Sequence, residues 1–167
     1  MSFEDIKQKD QQYIEKTYSR FQTDICRGEG AVLYSESGKK YVDIGRGIAV
    51  NTFGVNDEVW KNAVIEQLNK VQHASNLYYT QPQTELAEML CLRTGAKKVF
   101  FSNSGAEANE CAIKAARKYS FDKYGEGRYH IVTLKNSFHG RTMATLSATG
   151  QEAMHRCFAP RLDGFSY

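Results

Sequence analysis

Long apolar runs and a strong charge of one sign are both lacking. Nowhere does the chain hold about 18 consecutive apolar residues, the length that a membrane-spanning helix needs, and residues 1–7 contain acidic side chains instead of an apolar stretch. We therefore expect neither a membrane span nor a signal or transit peptide. The 22 Lys and Arg residues are scattered among 19 Asp and Glu residues, which gives a net charge of +3. Without a basic cluster, the sequence does not predict nucleic-acid binding.

Metal-binding and nucleotide-binding motifs are also missing. The four cysteines form no C-x-x-C pair and the four histidines form no H-E-x-x-H motif, so the sequence predicts no metal site. Four cysteines could form two disulfides, but without a secretory signal we expect reduced thiols in a cytoplasmic protein. The patterns G-x-G-x-x-G and G-x-x-x-x-G-K-[ST] are absent as well, which excludes the two common nucleotide-binding loops.

The chain does contain enough apolar residues for a folded core. Of its 167 residues, 41% are hydrophobic, a composition that is ordinary for about one globular domain. Apolar spacing and capping residues predict a hairpin and three helices in the first part of the chain. These elements are a helix over residues 3–18, a β-hairpin of residues 31–34 and 40–44, a helix over residues 57–71 capped by Asn56 or Asp57, and a helix from Pro82 to Gly95.

A strand–helix–strand unit follows in the second half of the chain. Residues 98–101 and 130–134 are short apolar runs typical of buried strands, and residues 104–123 have helical composition. This order indicates a right-handed βαβ unit and therefore a parallel sheet. We predict an α/β fold whose ligand site lies at the carboxyl ends of the strands.

The first candidate site lies where the first of these strands meets the helix. Ser104 and Glu107 match the capping box S-x-x-E, and Gly105 and Ala106 leave the first helical turn almost without side chains. A ligand could approach the backbone N–H groups closely at the positive end of the helix dipole, which is a common site for phosphate. An ordinary capped helix packed closely on the sheet would explain the same residues.

The second candidate site, residues 136–142, follows the second strand and should lie at the same sheet edge. Phe138 could stack on a flat ring, and Arg141 could bind a carboxylate through two hydrogen bonds or form a surface ion pair. His139 could carry a proton, line the site or be an ordinary loop residue. The informative prediction is that both loops face one crevice.

A third and weaker candidate is a pair of adjacent tyrosines, Tyr78 and Tyr79, in a predicted loop. Tyrosines in this position could face a ligand or a partner subunit. Packing in the core or at the surface would explain them equally well, so the sequence assigns them no role.

Together these motifs resemble those of the class III (fold type I) pyridoxal-phosphate aminotransferases. The resemblance extends in order over nearly the whole chain. It rests on S-G-A-E-A-N at residues 104–109, S-F-H-G-R-T at 137–142 and T-L-S-A-T-G at 145–150, with support from residues 27–31, 41–43, 47–51 and 75–79. Within the class, the motifs are most similar to those of members that use N-acetylornithine.

The resemblance implies a fold and a reaction. Residues 1–55 would form an incomplete small α+β segment with a helix and the hairpin, and residues 56–167 would form the first part of the cofactor-binding large domain, a mostly parallel sheet with flanking helices. The reaction would transfer an amino group from N-acetylornithine to 2-oxoglutarate, in cytoplasmic arginine biosynthesis by a homodimer. Succinyldiaminopimelate, ornithine and 4-aminobutyrate are alternative amino donors.

The resemblance also implies roles for four residues. Gly105 and Ala106 would give backbone N–H groups to the phosphate of pyridoxal 5′-phosphate, Phe138 would stack on its pyridine ring, and Arg141 would bind the substrate α-carboxylate. The family's Schiff-base lysine and the aspartate that pairs with the pyridinium nitrogen lie beyond residue 167. We therefore expect that this chain alone contains no catalytic residue and does not transaminate.

Other functions stay open at this point. Where the family often has Gly-His-x-His-Pro, residues 54–58 have the sequence G-V-N-D-E. The chain could be a non-catalytic module for assembly or phosphate binding. It could also be a phosphosugar- or nucleotide-binding α/β domain, although that alternative leaves Phe138 and Arg141 without a role.

Overall fold

The computed structural model describes all 167 residues, which divide into two compact units, Met1–Tyr79 and Thr80–Tyr167. The predicted domain boundary between residues 55 and 56 concerns the complete fold of the family and stays a prediction. None of the helices combines the length and the apolar character needed to cross a membrane.

The first unit contains a three-stranded antiparallel sheet in the order β1-β2-β3. Its strands are β1 (Arg27–Glu29), β2 (Val32–Tyr34) and β3 (Lys40–Val42). The antiparallel pairing of β2 with β3 confirms the predicted hairpin. Strand β1 was not predicted, because its central Gly28 and two charged neighbours include none of the β-branched or aromatic residues that indicate a strand.

Helix α1 (Phe3–Tyr13) is shorter than the helix predicted over residues 3–18. The chain becomes extended at Ile14, where φ is −113° and ψ is 126°. All of residues 14–20 are exposed. Because no packed face stabilises this stretch, nothing offsets the entropy cost of extending the helix.

Helix α3 (Glu58–Lys70) agrees with the prediction in its extent and in its cap. The carboxylate of Asp57 accepts the backbone N–H of Trp60 at 2.8 Å. This bond satisfies one of the N–H groups that the start of a helix leaves without an internal partner. Local sequence was sufficient to predict this cap, because the capping side chain and the N–H group that it accepts are three residues apart.

Between the sheet and α3, the chain forms a single turn, α2 (Arg46–Ala49), in the left-handed region of backbone space. Its four residues all have positive φ, and Gly47 and Ile48 have ψ values of 40° and 55°. This conformation costs about 1–2 kcal/mol for each L-residue other than glycine. The side chain of Ile48 is 95% exposed, so packing does not offset that cost.

The second unit contains four helices and two short strands. In chain order, they are α4 (Gln81–Thr94), α5 (Gly105–Tyr124), β4 (Ile131–Val132), α6 (Met143–Ala148), α7 (Glu152–His155) and β5 (Phe165–Ser166). Pro82 lies in the first turn of α4, and Gly95 ends that helix with a φ of 77°. Ser104 caps α5. These predicted helix ends are confirmed.

The parallel pairing in this unit differs from the predicted one. Strand β4 pairs in parallel with β5, with Ile131 opposite Phe165. The prediction of a strand over residues 98–101 is wrong, because in the structure that segment pairs with no other segment of the chain. Apolar composition indicates that a segment is suited to a strand, but a strand forms only where a second segment supplies hydrogen-bond partners. Phe100, in the unpaired segment, is 63% exposed.

The core of the second unit is small and lies between α5 and α6. Ile113 packs with Ala144 and Ala148, and Ile131 and Phe165 pack against this cluster from the strand pair. All residues of α6 after its first are buried. This short helix is therefore the element around which the unit is packed.

Replacing Ile48 with glycine should stabilise the protein, because glycine adopts positive φ without a steric cost. We expect Ile48→Gly to raise the free energy of unfolding in urea by about 0.5–1 kcal/mol, the strain relieved less the extra chain entropy. Ile65→Gly is the matched control, since Ile65 lies within the right-handed helix α3. It should lower the free energy of unfolding by about 0.5 kcal/mol or more. Losses of stability in both variants would contradict the left-handed conformation at Ile48.

Candidate functional site

The start of α5 presents backbone N–H groups without acceptors. The hydroxyl oxygen of Ser104 accepts the N–H of Glu107 at 3.2 Å. The N–H groups of Gly105 and Ala106 have no such partner, since the first residues of a helix lack a preceding turn. Gly105 is exposed, and a Cβ placed on it would find no atom within 4 Å. This open helix end can therefore bind an anion through two N–H groups.

The side chain of Glu107 sets the charge beside this helix end. Its carboxylate accepts hydrogen bonds from the side-chain amide of Asn103 at 3.3 Å and from the hydroxyl of Ser104 at 3.0 Å. These two donors hold the pKa of Glu107 below its ordinary value, and Asn103 has the larger effect. Glu107 is thus a fixed negative charge at neutral pH, and it complements the positive end of the helix dipole.

The second predicted loop, residues 136–142, lies directly against the start of α5. A Cβ added to Gly140 would be 2.8 Å from the Cβ of Ala106, closer than two side-chain carbons approach. The side-chain amide of Asn109 donates to the carbonyl oxygen of His139 at 2.9 Å. The structure therefore brings the predicted anion-binding residues and the predicted aromatic and cationic loop together. It does so without the predicted pairing of residues 98–101 with β4.

Phe138 and Arg141 are accessible on either side of a buried backbone. Phe138 is 54% exposed and Arg141 is exposed, whereas Gly140 between them is buried. Gly140 has a φ of 131°, which residues with a Cβ rarely adopt. A ring face and a guanidinium therefore project from one short loop whose path depends on glycine.

His139 contributes its backbone to the loop, and its ring contacts are few. Its ring Nδ1 lies 3.4 Å from the hydroxyl of Ser137, and its N–H and C=O both bond to other side chains. The structure therefore favours a loop-holding residue over a proton carrier. The third candidate, Tyr78 and Tyr79, belongs to the unit Met1–Tyr79, where both rings are exposed.

Two buried threonines beneath the loop were not predicted. The Oγ1 atom of Thr145 accepts the N–H of Thr142 at 3.0 Å, and that of Thr149 accepts the N–H of His139 at 3.0 Å. Both threonines are 0% exposed. The indication in the sequence was the repeated hydroxyl residues Thr142, Thr145, Ser147 and Thr149, since a buried hydroxyl must find a partner.

Comparison with known sequences gives matches along almost the entire chain. The family model described as aminotransferase class-III matches residues 13–167. Acetylornithine aminotransferase of Haemophilus ducreyi is 51% identical over 100% of this chain and 42% of its own length. Succinylornithine transaminase of Yersinia enterocolitica is 45% identical over 96% of this chain and 40% of its own length. The chain thus spans about two fifths of the length of these relatives.

Comparison with solved structures confirms the predicted fold class. The ornithine aminotransferase of Toxoplasma gondii matches with a TM-score of 0.92 at 23% identity, over 99% of this chain and 40% of that one. The adenosylmethionine-8-amino-7-oxononanoate aminotransferase of Methanocaldococcus jannaschii matches with a TM-score of 0.90 at 32% identity, over 98% of this chain and 40% of that one. Both are fold type I pyridoxal-phosphate aminotransferases, with the α/β architecture predicted from the sequence.

Replacing Gly140 with alanine should force the loop away from α5. The added methyl would meet Thr145 Oγ1 at 2.6 Å and the Cβ of Ala106 at 2.8 Å, and we expect the free energy of unfolding to fall by about 2–4 kcal/mol. Gly127→Ala is the matched control, because Gly127 also has a positive φ, of 92°, but has open space around it. Its cost should be about 1 kcal/mol. Equal losses in urea unfolding would contradict the close approach.

The pKa of Glu107 should lie below the ordinary glutamate value, and Asn103→Ala should raise it. Because the folded state has the lower pKa, the carboxylate stabilises the protein above the pKa of the unfolded chain. This contribution is lost as the pH falls through the folded-state pKa. An NMR titration of the Glu107 side-chain carboxyl carbon measures both values. The same pKa in the variant and in the unmodified protein would show that Asn103 does not hold this carboxylate.

Proposed function

The chain belongs to the class-III aminotransferases, a family that uses pyridoxal phosphate, and we propose that it supplies the phosphate-binding and carboxylate-binding part of an acetylornithine aminotransferase. The reaction is the transfer of an amino group from N-acetylornithine to 2-oxoglutarate. The observation that carries this proposal is the contact between Gly140 and Ala106, which joins an anion-binding helix end to a loop with an aromatic ring and a guanidinium.

The residues at this site fit pyridoxal phosphate. The N–H groups of Gly105 and Ala106 suit a phosphate dianion, and the open space at Gly105 allows it to come close. The accessible ring of Phe138 on the adjoining loop suits a pyridine ring. When bound, the cofactor supplies the electron sink of the reaction, and the part of these residues is to bind and orient it.

Arg141 is the residue that we assign to the substrates. Both N-acetylornithine and 2-oxoglutarate carry an α-carboxylate, and a guanidinium binds a carboxylate through two parallel hydrogen bonds. One arginine can therefore serve the amino donor and the amino acceptor in turn. This assignment explains why an exposed cation lies on the same loop as the aromatic ring.

The proposed donor follows from the relatives. The relative with 51% identity is named for acetylornithine, and one with 45% identity is named for succinylornithine. Both names describe an ornithine acylated on one amino group, which is the substrate class that we propose. Ornithine, succinyldiaminopimelate and 4-aminobutyrate are the alternative donors. Cytoplasmic arginine biosynthesis by a homodimer is the setting that the resemblance supports.

We also propose that catalysis needs groups from outside residues 1–167. The chain spans 42% of the length of the Haemophilus ducreyi relative, and none of its lysines is assigned to the cofactor. The lysine that holds the cofactor and the aspartate that pairs with its ring nitrogen would come from further chain. Transamination by residues 1–167 alone, lost on substitution of one of their lysines, would contradict this proposal.

The test of the function is a transaminase assay with pyridoxal phosphate over all five amino donors, on a protein in which residues 1–167 are joined to the further chain that supplies the lysine and the aspartate. We expect the highest kcat/KM with an acylated ornithine. Arg141→Ala should raise the KM for the donor and for 2-oxoglutarate about tenfold or more, because hydrogen bonds to charged groups contribute about 1.5–3 kcal/mol.

Arg128→Ala is the control for this substitution. Arg128 is an exposed arginine just beyond the far end of α5, a helix of 20 residues that begins at the site, so the two ends are about 30 Å apart. The Arg128→Ala substitution should leave the KM values for the donor and for 2-oxoglutarate unchanged. An Arg141→Ala variant with unchanged kinetics would remove Arg141 from the site.

A further inference from the structure

Of the two buried threonines beneath the loop that carries Phe138 and Arg141, Thr149 contacts the peptide groups beside these two side chains. The Oγ1 atom of Thr149 accepts the N–H of His139 at 3.0 Å, and it lies 3.2 Å from the carbonyl oxygen of Gly140, to which it can donate. Thr149 is 0% exposed. The hydroxyl is therefore enclosed between the end of α6 and the loop, away from solvent.

These two contacts fall on the peptide groups next to the proposed functional side chains. The N–H of His139 belongs to the peptide that follows Phe138, and the C=O of Gly140 belongs to the peptide that precedes Arg141. A hydroxyl both accepts and donates, so the Thr149 oxygen contacts both backbone groups: it accepts from His139 and lies within donating distance of Gly140. The spacing between ring and guanidinium therefore depends on Thr149.

Thr149 is itself held in place by hydrogen bonds to Thr145 and His155. Its N–H bonds to the carbonyl oxygen of Thr145 at 3.0 Å, and its own carbonyl oxygen accepts a hydrogen bond from Nε2 of His155 at 2.6 Å. The Thr145 carbonyl, 2.9 Å from Oγ1, is the nearer of the two acceptors for the single hydroxyl proton. The hydroxyl thus belongs to a fixed helix end and can position the loop.

We propose that Thr149 is a positioning residue of the cofactor and substrate site, which sets the relative placement of Phe138 and Arg141 through the backbone of residues 138–141. This inference rests on the function proposed above, because it assigns those two side chains to the cofactor ring and the substrate carboxylate. Thr149 acts through the loop and not on the reacting atoms.

The physical reason is the cost of a buried N–H group without a partner. If the hydroxyl is removed, the N–H of His139 has to reach water or another acceptor, and the loop shifts to allow it. Binding of a carboxylate through two parallel hydrogen bonds tolerates little displacement of the guanidinium. Arg141 would hold the carboxylate equally in the bound substrate and in the transition state, so the loss should appear in KM and not in kcat.

Two substitutions of Thr149 separate the hydroxyl from the methyl group. Thr149→Val keeps the shape of the side chain and removes the hydroxyl. We expect it to raise the KM for the amino donor and for 2-oxoglutarate about tenfold, to weaken pyridoxal phosphate binding severalfold, and to change kcat by less than about threefold. Thr149→Ser keeps the hydroxyl and should keep both KM values within about twofold, even with a lower midpoint of unfolding.

Ser147→Ala is the control for a general loss of packing. Ser147 lies on the same helix and is 1% exposed, and its hydroxyl oxygen accepts the N–H of Leu162 at 2.9 Å. It makes no hydrogen bond to residues 136–142. This variant should lower the stability of the protein and leave both KM values and the cofactor affinity unchanged.

Amide hydrogen exchange gives a measurement that does not need activity. Thr149→Val should speed exchange at the N–H of His139 about tenfold or more, whereas Ser147→Ala should speed it at Leu162 and not at His139. Unchanged exchange at His139 in Thr149→Val would overturn the proposal. Unchanged KM values in that variant, or an equal rise of KM in Ser147→Ala, would also overturn it.

The same experiment keeps the two proposals apart. If the unmodified protein, with the further chain that supplies the lysine and the aspartate, bound no pyridoxal phosphate and transferred no amino group, the proposed function would fail, and with it the roles of Phe138 and Arg141. Exchange at His139 would still show whether Thr149 holds the loop. If the unmodified protein is active and the KM values of Thr149→Val are no more changed than those of Ser147→Ala, the function stands and the positioning role is wrong.

Discussion

The second unit depends on the close approach of the loop backbone at Gly140 to the side chain of Ala106 in the first turn of α5. No atom larger than hydrogen fits on Gly140 at this point, because a Cβ there would lie 2.8 Å from the Cβ of Ala106. A helix end with open N–H groups and a loop with a ring and a guanidinium thereby share one side of the unit. Small residues at both positions allow the helix end and the loop to lie side by side, as the proposed binding of an anion, a flat ring and a carboxylate requires.

Beneath this contact, hydrogen bonds hold the loop more than apolar packing does. The largest fully buried side chains of the unit are those of the hydroxyl residues Thr145, Ser147 and Thr149, and no buried side-chain polar atom lacks a partner. Apolar contacts have no preferred direction, whereas a hydrogen bond fixes both a distance and an angle. A site that must orient two side chains is therefore well supported by a layer of hydroxyl groups.

The likeness to a solved aminotransferase at 23% identity, with a TM-score of 0.92, shows that the fold of this chain tolerates extensive substitution. The anion-binding end of α5 is made of backbone N–H groups, so it needs small residues at Gly105 and Ala106 but no particular side chain. Arg141 is different, because only its own guanidinium can supply a bidentate cation. Under the proposed function, substitution of Arg141 would therefore alter the substrate while the phosphate site persists.

The sequence by itself determined the features that depend on near neighbours along the chain. The caps at Asp57 and Ser104, the end of α4 at Gly95 and the β2–β3 hairpin were all predicted, because each is specified within a few residues. The two candidate loops were also recognised, from residue types whose chemistry is local.

Only the tertiary structure decided which distant segments meet. It paired β4 with Phe165–Ser166 instead of residues 98–101, set α2 in a left-handed turn, and placed the hydroxyl of Thr149 under the peptide of His139. These outcomes depend on which partners the folded chain makes available, and a hydrogen bond between distant groups leaves no periodic pattern in the sequence.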